Sequence, residues 1–264
     1  RQVLEKTYAV SIIASAVEVS GNFVDDRARL YAENAMQKNL GAYHVPCNVL
    51  PFIQVDRLTF QPIIKKTDDK EYTSESIRKK RKYDEISKKT KSERAMILEN
   101  EFDAMTEKGT ESLLAIIYID GNNMGSKVKK VTENVTDYTS GVNALKQFSQ
   151  KTNHDFVDEP ISVIESRLTE LYNSEKQHKN RYSYRKVISG GDEITIVCNA
   201  HAVPAILNAY FETLTSGSDN SACAGVAVFH SHAPFADVYE IAEQSCEMGK
   251  KLSHIKGNEN KNYI

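Results

Sequence analysis

Residues 187–197 read VISGGDEITIV, an apolar run into Gly190-Gly191-Asp192-Glu193 and an apolar run out again. Few structures suit that pattern. It predicts a β-hairpin with two glycines and two carboxylates at its tip. Glycine supplies positive φ for a tight turn and has no Cβ to block an incoming phosphate. Adjacent carboxylates beside such a gap suit Mg²⁺, which prefers oxygen ligands and often bridges a protein carboxylate to phosphates. The same residues also suit a plain hairpin turn with solvated acids.

A second stretch narrows the choice. Residues 113–119 (LLAIIYI) are continuously apolar, the pattern of a buried central strand. The run ends in Asp120-Gly121-Asn122-Asn123-Met124-Gly125. If this strand pairs beside the hairpin, Asp120 and Asp192 converge on one point. Two carboxylates with two Mg²⁺ then make a site for phosphoryl or nucleotidyl transfer. Taken alone, Asp120 also suits a helix N-cap or a turn.

Strand-Asp-x-(Asp/Asn)-x-apolar-Gly, followed by Gly-Gly-Asp-(Asp/Glu) on a hairpin, resembles the palm of the GGDEF cyclases. It also resembles the polymerase-like palm of the large subunit of type III CRISPR effector complexes. Residues 222–235 (ACAGVAVFHSHAPF) are similar to the CRISPR family's strand and following His-x-His-x-Pro-apolar turn. Residues 236–253 (ADVYEIAEQSCEMGKKLS) resemble its next helix, and the final NKNYI the start of its last strand. The match runs in order over residues 111–264. In the relatives, a lysine at the place of Lys250 reaches the triphosphate, and a compact ammonium suits phosphate. Lys251 points about 100° away on a helix and is the solvent residue.

Two departures from the relatives matter. Asn122 stands where many active palms place a second Asp; its carbonyl can coordinate a hard cation but brings no charge. The cysteine-rich zinc element often found between the palms is missing. Cys47, Cys198, Cys223 and Cys246 are far apart with no C-x-x-C pair, and two of them lie in apolar strand-like runs. They read as buried thiols of a reducing cytoplasm. No apolar run approaches a membrane span, and no signal peptide is visible.

The N-terminal third is less specific. Residues 7–19 are strand-like, and 25–39 read as a helix capped by Asp25 or Asp26 with Leu30, Ala35 and Met36 on one side. Residues 45–64 look like extended segments broken by Pro46, Pro51 and Pro62. This order resembles the tail of a first palm. The chain begins with Arg1 rather than Met and stops inside an expected strand, so it reads as a piece of a longer protein. The formal net charge is only −2, against a globally basic nucleic-acid binder. Charge is uneven, however: residues 78–94 (RKKRKYDEISKKTKSER) are strongly basic and precede a helix-like, more acidic stretch at 95–108. They suit an RNA- or DNA-contacting helix, or a solvated linker.

Between the two site elements, 141–150 and 161–177 read as helices, with Ile161, Ile164, Leu168 and Leu171 on a core face. His154 and His178 show no partner pattern, and His230 and His232 read as part of a structural turn. The expected architecture is α+β: a ferredoxin-like polymerase/cyclase palm with a central antiparallel sheet and flanking helices (111–264), preceded by part of a second palm-like unit (1–66) and a basic helical connector (67–110). The resemblance implies Asp120, Asp192 and Glu193 as catalytic and metal residues, with Mg²⁺ or Mn²⁺. It implies Gly190, Gly191, Gly121, Asn122 and Lys250 as nucleotide contacts, Glu193 also suiting a ribose. The substrate would be ATP or another nucleoside triphosphate, and the product a cyclic oligoadenylate signal in antiviral defence. An RNA-guided effector complex would be the partner. Two alternatives stay open. One is a GGDEF-type synthase using GTP, although Ile194 replaces the aromatic residue of that motif. The other is a catalytically silent palm that scaffolds a ribonucleoprotein.

Overall fold

The computed structural model describes residues 12–40, 53–55, 61–66, 72–80, 102–106, 112–174, 179–216, 220–255, 257–258 and 261–264. The chain divides into two compact units, Arg1–Ser92 and Glu93–Ile264.

In the first unit, helix α1 spans Phe23–Asn39. Its cap is Asn22, three residues upstream of Asp25 and four upstream of Asp26, the first-turn acids that the sequence offers as caps. Asn22 Oδ1 accepts from the backbone amides of Val24 at 3.0 Å and Asp25 at 3.3 Å. An amide oxygen just before the first turn reaches those donors, whereas Asp25 and Asp26 are already inside the helix. Asp26 turns inward and is buried, accepting from the Ser20 amide at 2.8 Å. Leu30 and Met36, read as lying on one side of the helix, are 40% and 48% exposed. Residues 12–19, the described part of the expected first strand, carry no ladder; a strand needs a partner, which apolar residues alone do not provide. Strands β1 (Ile63–Lys66) and β2 (Tyr72–Ser74) pair antiparallel. Of the basic run, only residues 78–80 are described, and Arg78 there pairs with Glu75 at 2.7 Å. The remainder of that run, and with it the nucleic-acid expectation, lies outside the described residues, as do Cys47 and His178.

The second unit carries the palm. Strands β3 (Leu113–Gly121), β4 (Tyr184–Gly190), β5 (Glu193–Asn199) and β6 (Ala222–His230) form one antiparallel sheet in the order β4-β5-β3-β6. Between β3 and β4 run helices α2 (Met124–Thr132), α3 (Tyr138–Asn153) and α4 (Glu159–Ser174). Helix α5 (Val203–Thr215) joins β5 to β6, and α6 (Phe235–Ser253) follows β6. A strand–helix–strand–strand–helix–strand order with the first and third strands central is the ferredoxin-like arrangement that the resemblance implied.

Strand β3 is central because both of its faces are apolar, and each face has its own cover. Ala115, Ile117 and Ile119 face Ile164 and Leu168 of α4 and Ile206 and Tyr210 of α5 in one cluster. Leu114, Ile116 and Tyr118 join Val238, Ala242 and Cys246 of α6 in the other. Met105 completes that second cluster from a single 3₁₀ turn, Phe102–Met105, within the stretch read as connector. Asn199 holds the turn there, donating to the Met105 carbonyl at 2.8 Å. Burying one such isoleucine fully contributes about 1.5–3 kcal/mol, so the two-sided strand is the anchor of the unit.

Helix α6 lies close against β6 because Gly225 has no side chain. A Cβ there would sit 1.8 Å from the Ala242 carbonyl oxygen and 2.6 Å from the Cys246 amide nitrogen. The outer edge of β6 is met by residues 261–264: the Ala224 amide donates to the Tyr263 carbonyl at 2.8 Å, beside a parallel bridge between Cys223 and Tyr263. Helices α3 and α4 are joined by one turn of π winding, His154–Asp158, which drives Phe156 and Val157 into the core. The three described cysteines are buried free thiols. Among the described residues no helix is long and apolar enough to cross a membrane.

Candidate functional site

The hairpin turn forms as its glycines require. Gly191 adopts φ +66°, and both Gly190 and Gly191 face open space. In the β3 ladders Asp120 stands opposite Glu193 of β5 and Cys223 of β6. The Gly121 amide donates to the Asp192 carbonyl at 3.1 Å, which docks the hairpin tip onto the end of β3. Gly121 matters for a second reason. A Cβ there would lie 2.9 Å from Asp192 Cβ, 2.9 Å from Phe156 Cε1 and 3.0 Å from Asp192 Oδ2. Its bare backbone leaves the room that Asp192 occupies.

Asp120 and Asp192 line one cavity of about 340 Å³, together with the 121–126 turn, Lys250 and His254. Lys250 reaches from the last turn of α6 and pairs with Asp120 Oδ2. Lys251 is exposed, as the helical phase requires. Burial and the charge of Asp120 raise the carboxyl of Asp192 above the ordinary carboxylate range. Burial works against the charge of Lys250, but the bond to Asp120 and the charge of that carboxylate, with smaller contributions from its neighbours, together outweigh it and hold the ammonium above the usual lysine range. Two carboxylates thus share one partly buried space with a single counter-charge, an arrangement that a hard cation would relieve.

The turn after β3 supplies the opposite wall. Asn123 takes φ +60°, a left-handed backbone that Asn tolerates better than most residues, and α2 starts immediately after it. The Asn123 side chain makes no cap bond to the first turn. Met124, Gly125 and Ser126, the first residues of α2, line the cavity, so the positive end of the helix faces the carboxylate pair. Helix α2 and Asn123 were not read from the sequence.

Other expected site residues fall elsewhere. Glu193 does not line this cavity; it sits on the α6 side, where burial, then Asp120 and Glu243, push its carboxyl up. Among the described residues, no three His, Cys, Asp or Glu side chains gather as a metal-holding group. The acidic pair is therefore Asp120 and Asp192. Gly190 and Gly191 lie outside the cavity lining. Asn122 lines it, yet its amide is engaged internally and is 3% exposed. Its Nδ2 donates to Ser221 Oγ at 3.1 Å and to the Lys261 carbonyl at 3.3 Å. Its Oδ1 accepts from the Cys223 thiol at 3.2 Å. The carbonyl considered for a cation is thus a clasp between β3, β6 and the final segment. His230 and His232 make a structural turn, in which the Ala233 amide donates to the His230 carbonyl at 2.8 Å.

A ferredoxin-like sheet with paired acids at the end of its central strand and at a Gly-Gly-Asp-Glu hairpin defines a palm domain of the polymerase/cyclase type. The chain belongs to the Cas10/Cmr2 family: residues 113–264 match that family's second palm domain. This is the large-subunit family of type III CRISPR effectors that the motifs resemble. Similar solved structures include an apo Csm1-Csm4 cassette, with 15% identity and a TM-score of 0.42 over 57% of this chain and 21% of that one. A Csm1-Csm4 cassette in complex with AMPPNP gives the same values. Csm1 from T. onnurineus matches at 15% identity and a TM-score of 0.42, over 61% of this chain and 22% of its own. The chain therefore spans about a fifth of the solved relatives. No curated protein matches it.

Proposed function

We propose that this palm binds a nucleoside triphosphate, ATP by resemblance, and serves the synthesis of a cyclic oligoadenylate. The observation that carries the reading is the convergence of Asp120, Asp192 and Lys250 on one cavity, facing the first turn of α2. Asp120 and Asp192 would hold Mg²⁺, which when bound supplies charge stabilisation to the attacking and leaving oxygens. The first turn of α2 offers backbone amides to phosphate oxygens. Lys250, already beside Asp120, exchanges that carboxylate for phosphate. The open backbone of Gly190 and Gly191 admits the nucleotide. A 3′-hydroxyl then attacks an α-phosphorus and pyrophosphate leaves.

The reaction needs two nucleotides side by side, and this chain has one such hairpin. We read residues 1–66 as the tail of a first palm and 67–110 as a connector, so the longer parent would bring the second nucleotide. The chain alone should bind nucleotide and turn it over poorly. Calorimetry with ATP and GTP in the presence of Mg²⁺, on wild type and Asp192→Ala, tests the reading. Mg²⁺-dependent ATP binding that is lost in the variant supports it. Tighter GTP binding favours the cyclic dinucleotide alternative, and no binding of either favours the silent scaffold. Asp192→Ala in the parent should abolish pyrophosphate release.

A further inference from the structure

Tyr210, on α5, is the buried group near the site that the proposed chemistry leaves unused. Its side chain is fully buried, and its hydroxyl has no hydrogen-bond partner among the described residues. Such a hydroxyl is costly: burying it unpaired forfeits its hydration, and a phenylalanine would fill the same space without that penalty. The ring belongs to the cluster that also holds Ile119, Phe156, Ile194 and Ala222. Those residues flank the elements that carry the two acids. Ile119 precedes Asp120, Ile194 lies two residues past Asp192, and Phe156 meets Asp192 across Gly121. Burial, and after it the charges of Asp192 and Asp120, raise the phenol far above the usual tyrosine range.

We propose that Tyr210 is a positioning residue for the carboxylate pair, its hydroxyl supporting Asp192 from the core side when that carboxylate takes a cation. Tyr210 touches neither cation nor substrate in this role. It acts as outer-shell donors do at metal centres, where they fix the ligand and tune its affinity. The phenol suits that task because it donates from a rigid ring anchored on a helix, and a neighbouring carboxylate can only accept. The inference rests on the cation reading of the Asp120–Asp192 site.

The test is calorimetric titration of the full chain with Mn²⁺, for wild type and Tyr210→Phe, with thermal melting of both. The expected result is about tenfold weaker Mn²⁺ binding by Tyr210→Phe, with a melting temperature equal to or above that of wild type without the ion. A ring that merely packs would give the reverse, unchanged affinity, and that result overturns the proposal. A variant that melts several degrees lower and binds weakly would also overturn it, because a structural role then accounts for the loss. Absence of Mn²⁺ binding by wild type itself would instead sink the cation reading, and this inference with it.

Discussion

Replacing Gly121 with alanine should disable the site with limited damage to the fold. The added methyl would lie 2.9 Å from Asp192 Cβ and 2.9 Å from Phe156 Cε1. Ordinary carbon–carbon contact is about 3.5–4.0 Å, so one or both neighbours must retreat by roughly 0.6–1 Å. Phe156 is 1% exposed and backed by the core, whereas Asp192 borders the cavity. Asp192 is therefore the group that moves. Overpacking of this kind costs about 1–3 kcal/mol, and the lower half of that range is expected because one neighbour faces free space. A carboxylate displaced by about 1 Å should lose tenfold or more in cation affinity and up to about 10²-fold in any rate that depends on it. Urea unfolding followed by far-UV circular dichroism reads the first effect, and Mn²⁺ titration reads the second. Gly125→Ala is the control for stability, since a Cβ at Gly125 meets nothing within 4 Å. If Gly121→Ala matches wild type in both stability and Mn²⁺ affinity, the argument that Gly121 exists to seat Asp192 is wrong.

Three further outcomes follow from the same geometry. Gly225→Ala should destabilise the second unit by about 3 kcal/mol or leave it unfolded, because its Cβ would fall 1.8 Å from the Ala242 carbonyl oxygen; denaturant titration measures this, and wild-type stability would contradict the close helix–strand contact. Asn122→Asp should not create a better cation site but weaken the fold by about 3 kcal/mol, since a carboxylate oxygen would face the Lys261 carbonyl now 3.3 Å from Nδ2. Thermal melting decides between the two, and a gain in Mn²⁺ affinity at unchanged melting temperature would refute the clasp. At Asp155, burial is outweighed by hydrogen bonds from Lys151, Asn220 and His154, which hold the carboxyl below its ordinary value. A depressed carboxyl stabilises the fold above its unfolded value of about 3.9, and that stability disappears as pH falls through the folded value. Wild type should therefore lose more stability than Asp155→Asn between pH 5 and pH 2, as followed by urea midpoints; equal losses would contradict the assignment.

The palm was legible where its logic is local. A continuous apolar run ending in Asp120 marked the central strand, and the glycines between two apolar runs marked the hairpin. Both carboxylates reached the same cavity as that reading required. Lys250 came from resemblance and also lies there. What was not legible depends on residues far apart in the chain. The role of Asn122 is set by Ser221, Cys223 and Lys261, 99 to 139 residues away, so no local pattern could have separated a clasp from a ligand. The closeness of Gly121 to Asp192 and Phe156, and the burial of Tyr210 in the same cluster as Phe156, likewise exist only once the sheet is assembled. Helix α2 was missed because its nine residues, MGSKVKKVT, follow a left-handed Asn123 rather than a recognisable cap.

The contact at Gly225 also limits how the site can move. Because α6 meets β6 backbone to backbone there, no side chain at Gly225 separates the two, and the helix has little room to tip toward the sheet at that point. The low-cost displacement left to it is a slide along its own axis, the shear motion by which packed helices shift without repacking. Lys250 rides at the end of that rail. Its approach to Asp120, and its withdrawal, would therefore be a translation of the whole helix, gauged by the strand beneath it rather than by the rotamers of one lysine.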